Sequence, residues 1–202
     1  MKSNSFVLIL GFMFFLLLPN PLHACVGRIL TIAVGNSTDQ VIMGQMLSVL
    51  INERTGTTVN IVQPGDLKRC HETVLKGKAD IYINYIGMRR ASTGGSTKVD
   101  DPQKVYTLVR QRYMEEFGMI WLKPFGFRGP LTFEAGGEKE SVSLAAPITT
   151  KDVLKKFPVL DRLINKLGGR IDNNTIDELR ENTKNQDVKE AVTEFLKTQK
   201  LI

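Results

Sequence analysis

The stretch ILTIAVGNSTDQVIMGQMLSVLI, residues 29–51, decides the fold class. It begins with β-branched and other apolar residues that are typical of a strand, and the strand pattern breaks at Gly35 and Asn36. Apolar side chains then recur every three or four residues, which is the period of an amphipathic helix. Ser37 and Gln40 have the spacing of a capping box, so we predict that the helix begins beside Ser37.

This strand, turn and helix also form a candidate ligand site. The arrangement directs the free N–H groups of a helix N-terminus toward the end of a sheet, and those groups together with the helix dipole attract anions. Residues 34–40 are therefore a candidate site for an anion or a carboxylate. The alternative is purely structural, because every α/β unit needs a capped helix after its first strand.

Residues 1–24 have the pattern of a secretory signal peptide: a short basic start, a mostly apolar run from Phe6 to Leu18, and a small residue at Ala24. The apolar run is too short to span a bilayer. We expect residues 1–24 to be removed and residues 25–202 to form a single α/β domain in the periplasm or another extracytoplasmic space.

The first cysteine leaves two possibilities open. Residues 22–25, LHAC, resemble a lipobox, in which Cys25 becomes the lipidated first residue of a membrane-anchored lipoprotein. The alternative is ordinary cleavage after Ala24, with Cys25 free or paired with Cys70 in an oxidising compartment.

Composition and motifs argue against several functions. The formal net charge of +6 is spread along the chain, so we expect no nucleic-acid partner. Cys70 and His71 are adjacent on a predicted helix and point in different directions, which disfavours a nucleophile–base pair. The sequence contains no phosphate-binding loop, metal-site motif or serine elbow, so we expect neither a cofactor nor an enzyme.

The remaining elements alternate in a way that predicts a parallel sheet. Strands at 57–62 and 79–86 flank a helix at 66–76, which together with the opening unit makes a βαβαβ order with right-handed crossovers. Further on we predict a helix at 101–117, a strand at 119–122, a hairpin of strands 131–134 and 141–146, helices at 150–157 and 159–167, a capping box at Thr175 and Glu178, and a last helix at 187–198.

Four segments carry a resemblance to a known family. In order they are VGNSTDQ at 34–40, ADIYINY at 79–85, WLKPFGF at 121–127, and a tail that contains FPVL at 157–160, LGGRI at 167–171 and EFL at 194–196. They resemble segments of the glycine betaine, choline and osmoprotectant-binding proteins of ABC importers. Those proteins are type II periplasmic binding proteins, in which two α/β lobes close on a ligand.

The resemblance implies a first lobe built from both ends of the chain, with the second lobe inserted between them. Fewer than twenty residues separate Phe127 from Ala146, whereas a second α/β lobe needs on the order of 80–100 residues. We therefore expect a single lobe with a mainly parallel sheet flanked by helices. A hairpin through residues 135–137 would replace the second lobe.

The resemblance also implies site residues. Gln40 matches the family's carboxylate-side glutamine, Asn36 and Thr38 match its neighbours, and Tyr85 matches a tyrosine of the aromatic cage that holds quaternary ammonium groups. Other positions depart from the family pattern, among them Met88 and the run at 128–131. The second-lobe aromatic residues are missing.

The implied function is that of an extracytoplasmic solute-binding component of an ABC importer for osmoprotectants such as glycine betaine or choline. Its partners would be a small zwitterionic or quaternary ammonium ligand and an ABC permease in the inner membrane. Binding would be weak or altered unless the permease, or a second copy in a homodimer, supplies the other wall of the cleft.

An alternative function is that of an envelope interaction module that kept the scaffold and lost ligand binding. In that case the chain would dock to a membrane partner through Arg89, Arg90 and the loop that runs to Thr97.

Overall fold

The computed structural model describes residues 29–85, 102–129 and 144–202. The strands are β1 (Ile29–Gly35), β2 (Thr58–Gly65), β3 (Ile81–Tyr85), β4 (Met119–Trp121) and β5 (Ala145–Thr150). The helices are α1 (Thr38–Thr55), α2 (Leu67–Leu75), α3 (Pro102–Phe117), α4 (Lys151–Lys156), α5 (Leu160–Ile164), α6 (Asn173–Asn182) and α7 (Val188–Thr198), with a 3₁₀ turn at Asn165–Leu167.

The strands form one mixed sheet in the order β2-β1-β3-β5-β4. β1 pairs in parallel with both β2 and β3, which confirms the predicted βαβαβ unit. β5 is antiparallel to β3 on one side and to β4 on the other, so the other four strands share one direction. The protein is thus an α/β lobe with a mixed sheet flanked by helices, in which the expected parallel pairing holds for β2, β1 and β3, while β5 pairs antiparallel with both of its neighbours.

The return of the chain into the sheet is described only in part. β5 begins at Ala145, and Leu144 forms an antiparallel bridge with Arg128 just before it. The predicted strand at 131–134, its connection at 135–140 and residues 141–143 lie outside the described residues, as do residues 1–28.

One face of the sheet carries the larger core. Leu30, Ile32 and Val34 of β1 are fully buried against the apolar side of α1. Val192 and Leu196 of α7 belong to the same buried cluster, and α7 packs directly on α1. The C-terminal helices therefore complete the core that the first strand and helix begin.

The opposite face carries a smaller core that contains aromatic and polar side chains. Tyr82, Tyr113 and Trp121 are buried there, and His71 Nδ1 lies 2.7 Å from the hydroxyl of Tyr82. Cys70 forms no disulfide with any described residue, and burial raises the pKa of its thiol to about 11. The thiol therefore stays protonated at neutral pH and does not act as a nucleophile.

One predicted helix start is wrong. The sequence pattern placed a capping box at Thr175, but α6 begins two residues earlier and is capped by Asp172. Asp172 Oδ1 accepts hydrogen bonds from both the N–H and the hydroxyl of Thr175, each at 2.8 Å. The carboxylate takes the role because it accepts both bonds at once, while Thr175 becomes a helical residue.

Among the helices in the described parts of the chain, none is long and apolar enough to cross a bilayer.

Candidate ligand-binding site

The turn after β1 is held by two side chains, as the capping pattern predicts. Ser37 Oγ accepts a hydrogen bond from the N–H of Gln40 at 3.3 Å and caps α1. Gln40 Oε1 accepts a hydrogen bond from the N–H of Gly35 at 3.4 Å, two residues before the Ser37 N–H that a capping box would use. The Gln40 side chain is therefore fixed across the turn and buried beneath it.

Two buried polar atoms at this end of the sheet have no partner. Gln40 uses its amide oxygen in the turn, but its Nε2 group finds no hydrogen-bond partner within the described residues. The hydroxyl of Tyr85, at the carboxyl end of β3, is also buried without one there. An unsatisfied buried polar group costs about 1–3 kcal/mol, so two at one location mark a place where a ligand can supply the missing bonds.

The side chains that shift the pKa of Tyr85 show which groups surround its hydroxyl. Burial raises the pKa of Tyr85 above its ordinary value, while the nearby side chains of Gln40 and Ser37 act to lower it. The charge of Asp39 raises the Tyr85 pKa further and the charge of Arg180 lowers it. The five side chains therefore converge beside the N-terminus of α1, although the Tyr85 hydroxyl forms no well-aligned hydrogen bond with any described residue.

The four residues implied by the resemblance fall into two pairs. Gln40 and Tyr85 lie together in the buried part of the site, each 2 % exposed. Asn36 and Thr38 are exposed and flank Ser37 on the solvent side of the same helix N-terminus. Arg89, Arg90 and Cys25 lie outside the described residues.

The ring of Tyr85 is covered on one face by the backbone of Gly129. A Cβ atom built on Gly129 would lie 1.9 Å from Cε1 of Tyr85, so only glycine allows this approach. The neighbouring turn is anchored because the N–H of Arg128 donates to Asn173 Oδ1 at 2.8 Å. Tyr85 consequently presents its hydroxyl to the site and keeps its ring in the core.

An ion pair beside the site had no signal in the local sequence pattern. Arg180 of α6 binds Asp39 in the first turn of α1 through two contacts, Nε to Oδ1 at 2.5 Å and Nη2 to Oδ2 at 2.8 Å. Asp39 is only 5 % exposed. The partners are 141 residues apart, so only the folded chain brings them together.

The chemistry of the site is that of a set of hydrogen-bond donors. The N-terminal N–H groups of α1, the Gln40 amide and the Tyr85 hydroxyl can all donate to a negatively charged group. Metal binding finds no such support, since no group of three or more His, Cys, Asp or Glu residues gathers within the described ranges.

The fold defines one lobe of the type II periplasmic-binding-protein class. The chain belongs to the family described as the substrate binding domain of ABC-type glycine betaine transport systems, whose model matches residues 29–133.

Two curated relatives are similar to this chain. The ergothioneine transport permease/ergothioneine binding protein EgtU of Helicobacter pylori (strain G27) is 28% identical over 144 residues, or 66% of this chain and 24% of that protein. The carnitine transport binding protein OpuCC of Listeria monocytogenes serotype 1/2a (strain 10403S) is 30% identical over 107 residues, or 51% of this chain and 35% of that protein. The chain therefore spans well under half the length of both relatives.

A solved structure shares the fold. The crystal structure of a glycine betaine/carnitine/choline ABC transporter protein matches with a TM-score of 0.72 and 15% sequence identity. The match covers 87% of this chain and 99% of that chain. The described lobe thus shares the fold of that protein.

Proposed function

We propose that this chain is the extracytoplasmic solute-binding component of an ABC importer. It binds the carboxylate of a small zwitterion at the site formed by Asn36, Thr38, Gln40 and Tyr85. The observation that carries this proposal is the pair of buried, unpartnered polar atoms, Gln40 Nε2 and the Tyr85 hydroxyl, beside the N-terminus of α1.

A carboxylate suits this location for two reasons. Its two oxygens can accept bonds from both unpartnered groups, which removes the cost of leaving them unsatisfied. The positive end of the helix dipole also favours a negative charge by about 0.3–1 kcal/mol at an exposed site and more where water is excluded. The Asp39 carboxylate does not oppose this, because Arg180 is bound to it.

The cationic half of such a ligand finds less support in the described residues. Quaternary ammonium groups bind over the faces of aromatic rings, and the Tyr85 ring is buried with Gly129 against it. We therefore expect weak affinity for this lobe alone. A second copy in a homodimer, or the permease, would have to provide the opposite wall.

The proposal extends to location and processing. Residues 1–24 would direct export, and residues 25–202 would fold as one domain outside the cytoplasm, either free or anchored through lipidated Cys25.

Isothermal titration calorimetry with glycine betaine, carnitine, proline and choline tests the proposed function. We expect the three ligands that carry a carboxylate to bind more tightly than choline, which lacks one. Tyr85→Phe should weaken the carboxylate ligands by about tenfold, the value of one charge-assisted hydrogen bond.

Tyr82→Phe is the matched control, because Tyr82 lies on the same strand but in the opposite core. It should leave the affinities unchanged. Absence of heat with every ligand at millimolar concentration, for monomer and dimer alike, would contradict the proposal.

A further inference from the structure

The Asp39–Arg180 ion pair connects the first turn of α1 to a helix near the other end of the chain. Asp39 is buried and takes both of its described side-chain contacts from the Arg180 guanidinium. Arg180 also contacts Asp177, but the side chain of Asp177 is 62% exposed, so water screens that second pair. The ion pair with Asp39 is therefore the stronger of the two that Arg180 forms.

The charges of Asp39 and Arg180 both influence the candidate site. Asp39 directly precedes Gln40, and the Tyr85 hydroxyl responds to Asp39 and Arg180 in opposite directions. With the pair intact, the positive charge of Arg180 offsets part of the effect of Asp39, and the N-terminus of α1 remains suited to an anion. Without the arginine, a buried negative charge would stand next to the place where a ligand carboxylate binds, and like charges repel strongly where water is excluded.

The geometry of the Asp39–Arg180 ion pair allows Arg180 to compensate the charge of Asp39. A guanidinium contacts a carboxylate through two parallel bonds, which fixes the orientation of the carboxylate as well as compensating its charge. Both Asp39 oxygens are held in this way. Arg180 belongs to α6, so both Asp39 oxygens are engaged by that helix.

We propose that Arg180 is a positioning residue that neutralises Asp39 and thereby gives the adjacent site its preference for a carboxylate over a plain cation, an inference that rests on the proposed function. Arg180 does not contact the ligand. It acts by holding the Asp39 carboxylate in a neutral pair, so that the donors beside it face the ligand without a competing negative charge.

The test compares glycine betaine with choline, two quaternary ammonium compounds that differ in the carboxylate. We expect Arg180→Gln to weaken glycine betaine by about tenfold while choline binds as before or more tightly, because the uncovered Asp39 charge repels only the carboxylate. Adding Asp39→Asn to that variant removes the charge and should restore the original preference. The double variant places neutral amide side chains at both positions and leaves no buried unpaired charge. It should therefore fold like the parent protein even if the single variant is unstable.

Arg54→Gln is the matched control. Arg54 lies in the last turn of the same helix, about 22 Å from Asp39 at 1.5 Å per residue, and its loss changes the net charge equally. It should leave the ratio of the two affinities unchanged. Equal weakening of glycine betaine and choline by Arg180→Gln would overturn the inference, because it would indicate a structural role only.

A second measurement, on the unliganded protein, separates this inference from the proposed function. With ¹³C-labelled tyrosine, the ionisation of Tyr85 should begin at higher pH in Arg180→Gln and return toward the original pH in the double variant. If the parent chain bound neither ligand, the proposed function would be contradicted, and an unchanged Tyr85 titration would then overturn the charge role of Arg180 as well.

Discussion

Tyr82 and Tyr85 lie on the same strand but differ in the state of their hydroxyl groups. Side chains alternate along a strand, so residues three positions apart face opposite sides of the sheet. Tyr82 lies in the smaller core with its hydroxyl 2.7 Å from His71 Nδ1, whereas the Tyr85 hydroxyl has no partner in the described structure. The two tyrosines therefore allow a paired test of what a buried hydroxyl contributes.

We expect Tyr85→Phe to leave the free energy of unfolding unchanged or to raise it by about 1 kcal/mol, because it removes a buried hydroxyl without a partner. Tyr82→Phe should lower it by about 1 kcal/mol through the lost bond to His71. Urea denaturation of both variants measures the difference. Equal destabilisation by both would show that Tyr85 has a hydrogen-bond partner after all.

At this scale the sequence predicted part of the site. Ser37 and Gln40 were expected to cap α1 from their spacing alone, and Ser37 does so. Arg180 and Gly129 could not be found in this way, because their roles depend on contacts with residues far away in the chain. Local patterns encode caps and periodicity, whereas an ion pair between distant helices leaves no periodic trace.

At the scale of elements, α1 lies unusually close to β1. A Cβ atom built on Gly44, in the middle of α1, would lie 2.3 Å from Cγ1 of Val34. Glycine is a poor residue for a helix interior, by about 1 kcal/mol relative to alanine. Its place here is explained by the close approach of helix and strand.

Gly44→Ala should therefore destabilise the protein by about 1–3 kcal/mol, even though alanine is the better helix former. The reason is the contact with Val34, so combining it with Val34→Ala should cost less than the two single changes added together. Chemical denaturation of the three variants gives the coupling energy. Strict additivity would show that the close approach is not what disfavours alanine.

Most elements could be predicted from the sequence, and β5 shows why some boundaries could not. The strand predicted at 141–146 ended at Ala146, and proline is generally disfavoured in a central strand. In the structure β5 continues through Pro147, which pairs with Ile83, and the Pro147 carbonyl accepts from the N–H of Leu122 at 2.9 Å. Proline lacks a backbone N–H donor but keeps its carbonyl acceptor. At Pro147 the carbonyl alone is sufficient to hold the strand in the sheet.

At the scale of the whole molecule, the two ends of the chain share one core. Leu196 of α7 is fully buried in the cluster that includes β1 and α1. The periodic pattern predicted α7 correctly as an amphipathic helix, but a pattern does not say which surface its apolar side covers. The family resemblance supplied that expectation by implying a lobe built from both ends.

We expect Leu196→Ala to lower the free energy of unfolding by about 2–5 kcal/mol, because it leaves a cavity in the shared core. Leu108→Ala is the control, since Leu108 is 54% exposed on α3 and its loss should change stability by no more than about 0.5 kcal/mol. A single cooperative loss of circular dichroism and tryptophan fluorescence would accompany both. Comparable small effects of the two substitutions would contradict a shared core.

The packing of α7 on α1 also sets the order in which the chain can acquire its structure. α1 is synthesised well before α7, whose apolar side chains share its core. Contacts between residues so distant in sequence form slowly, because a long loop must close first. The nascent chain therefore carries α1 without its α7 partner until α7 has been translated, and the shared core forms only after that point.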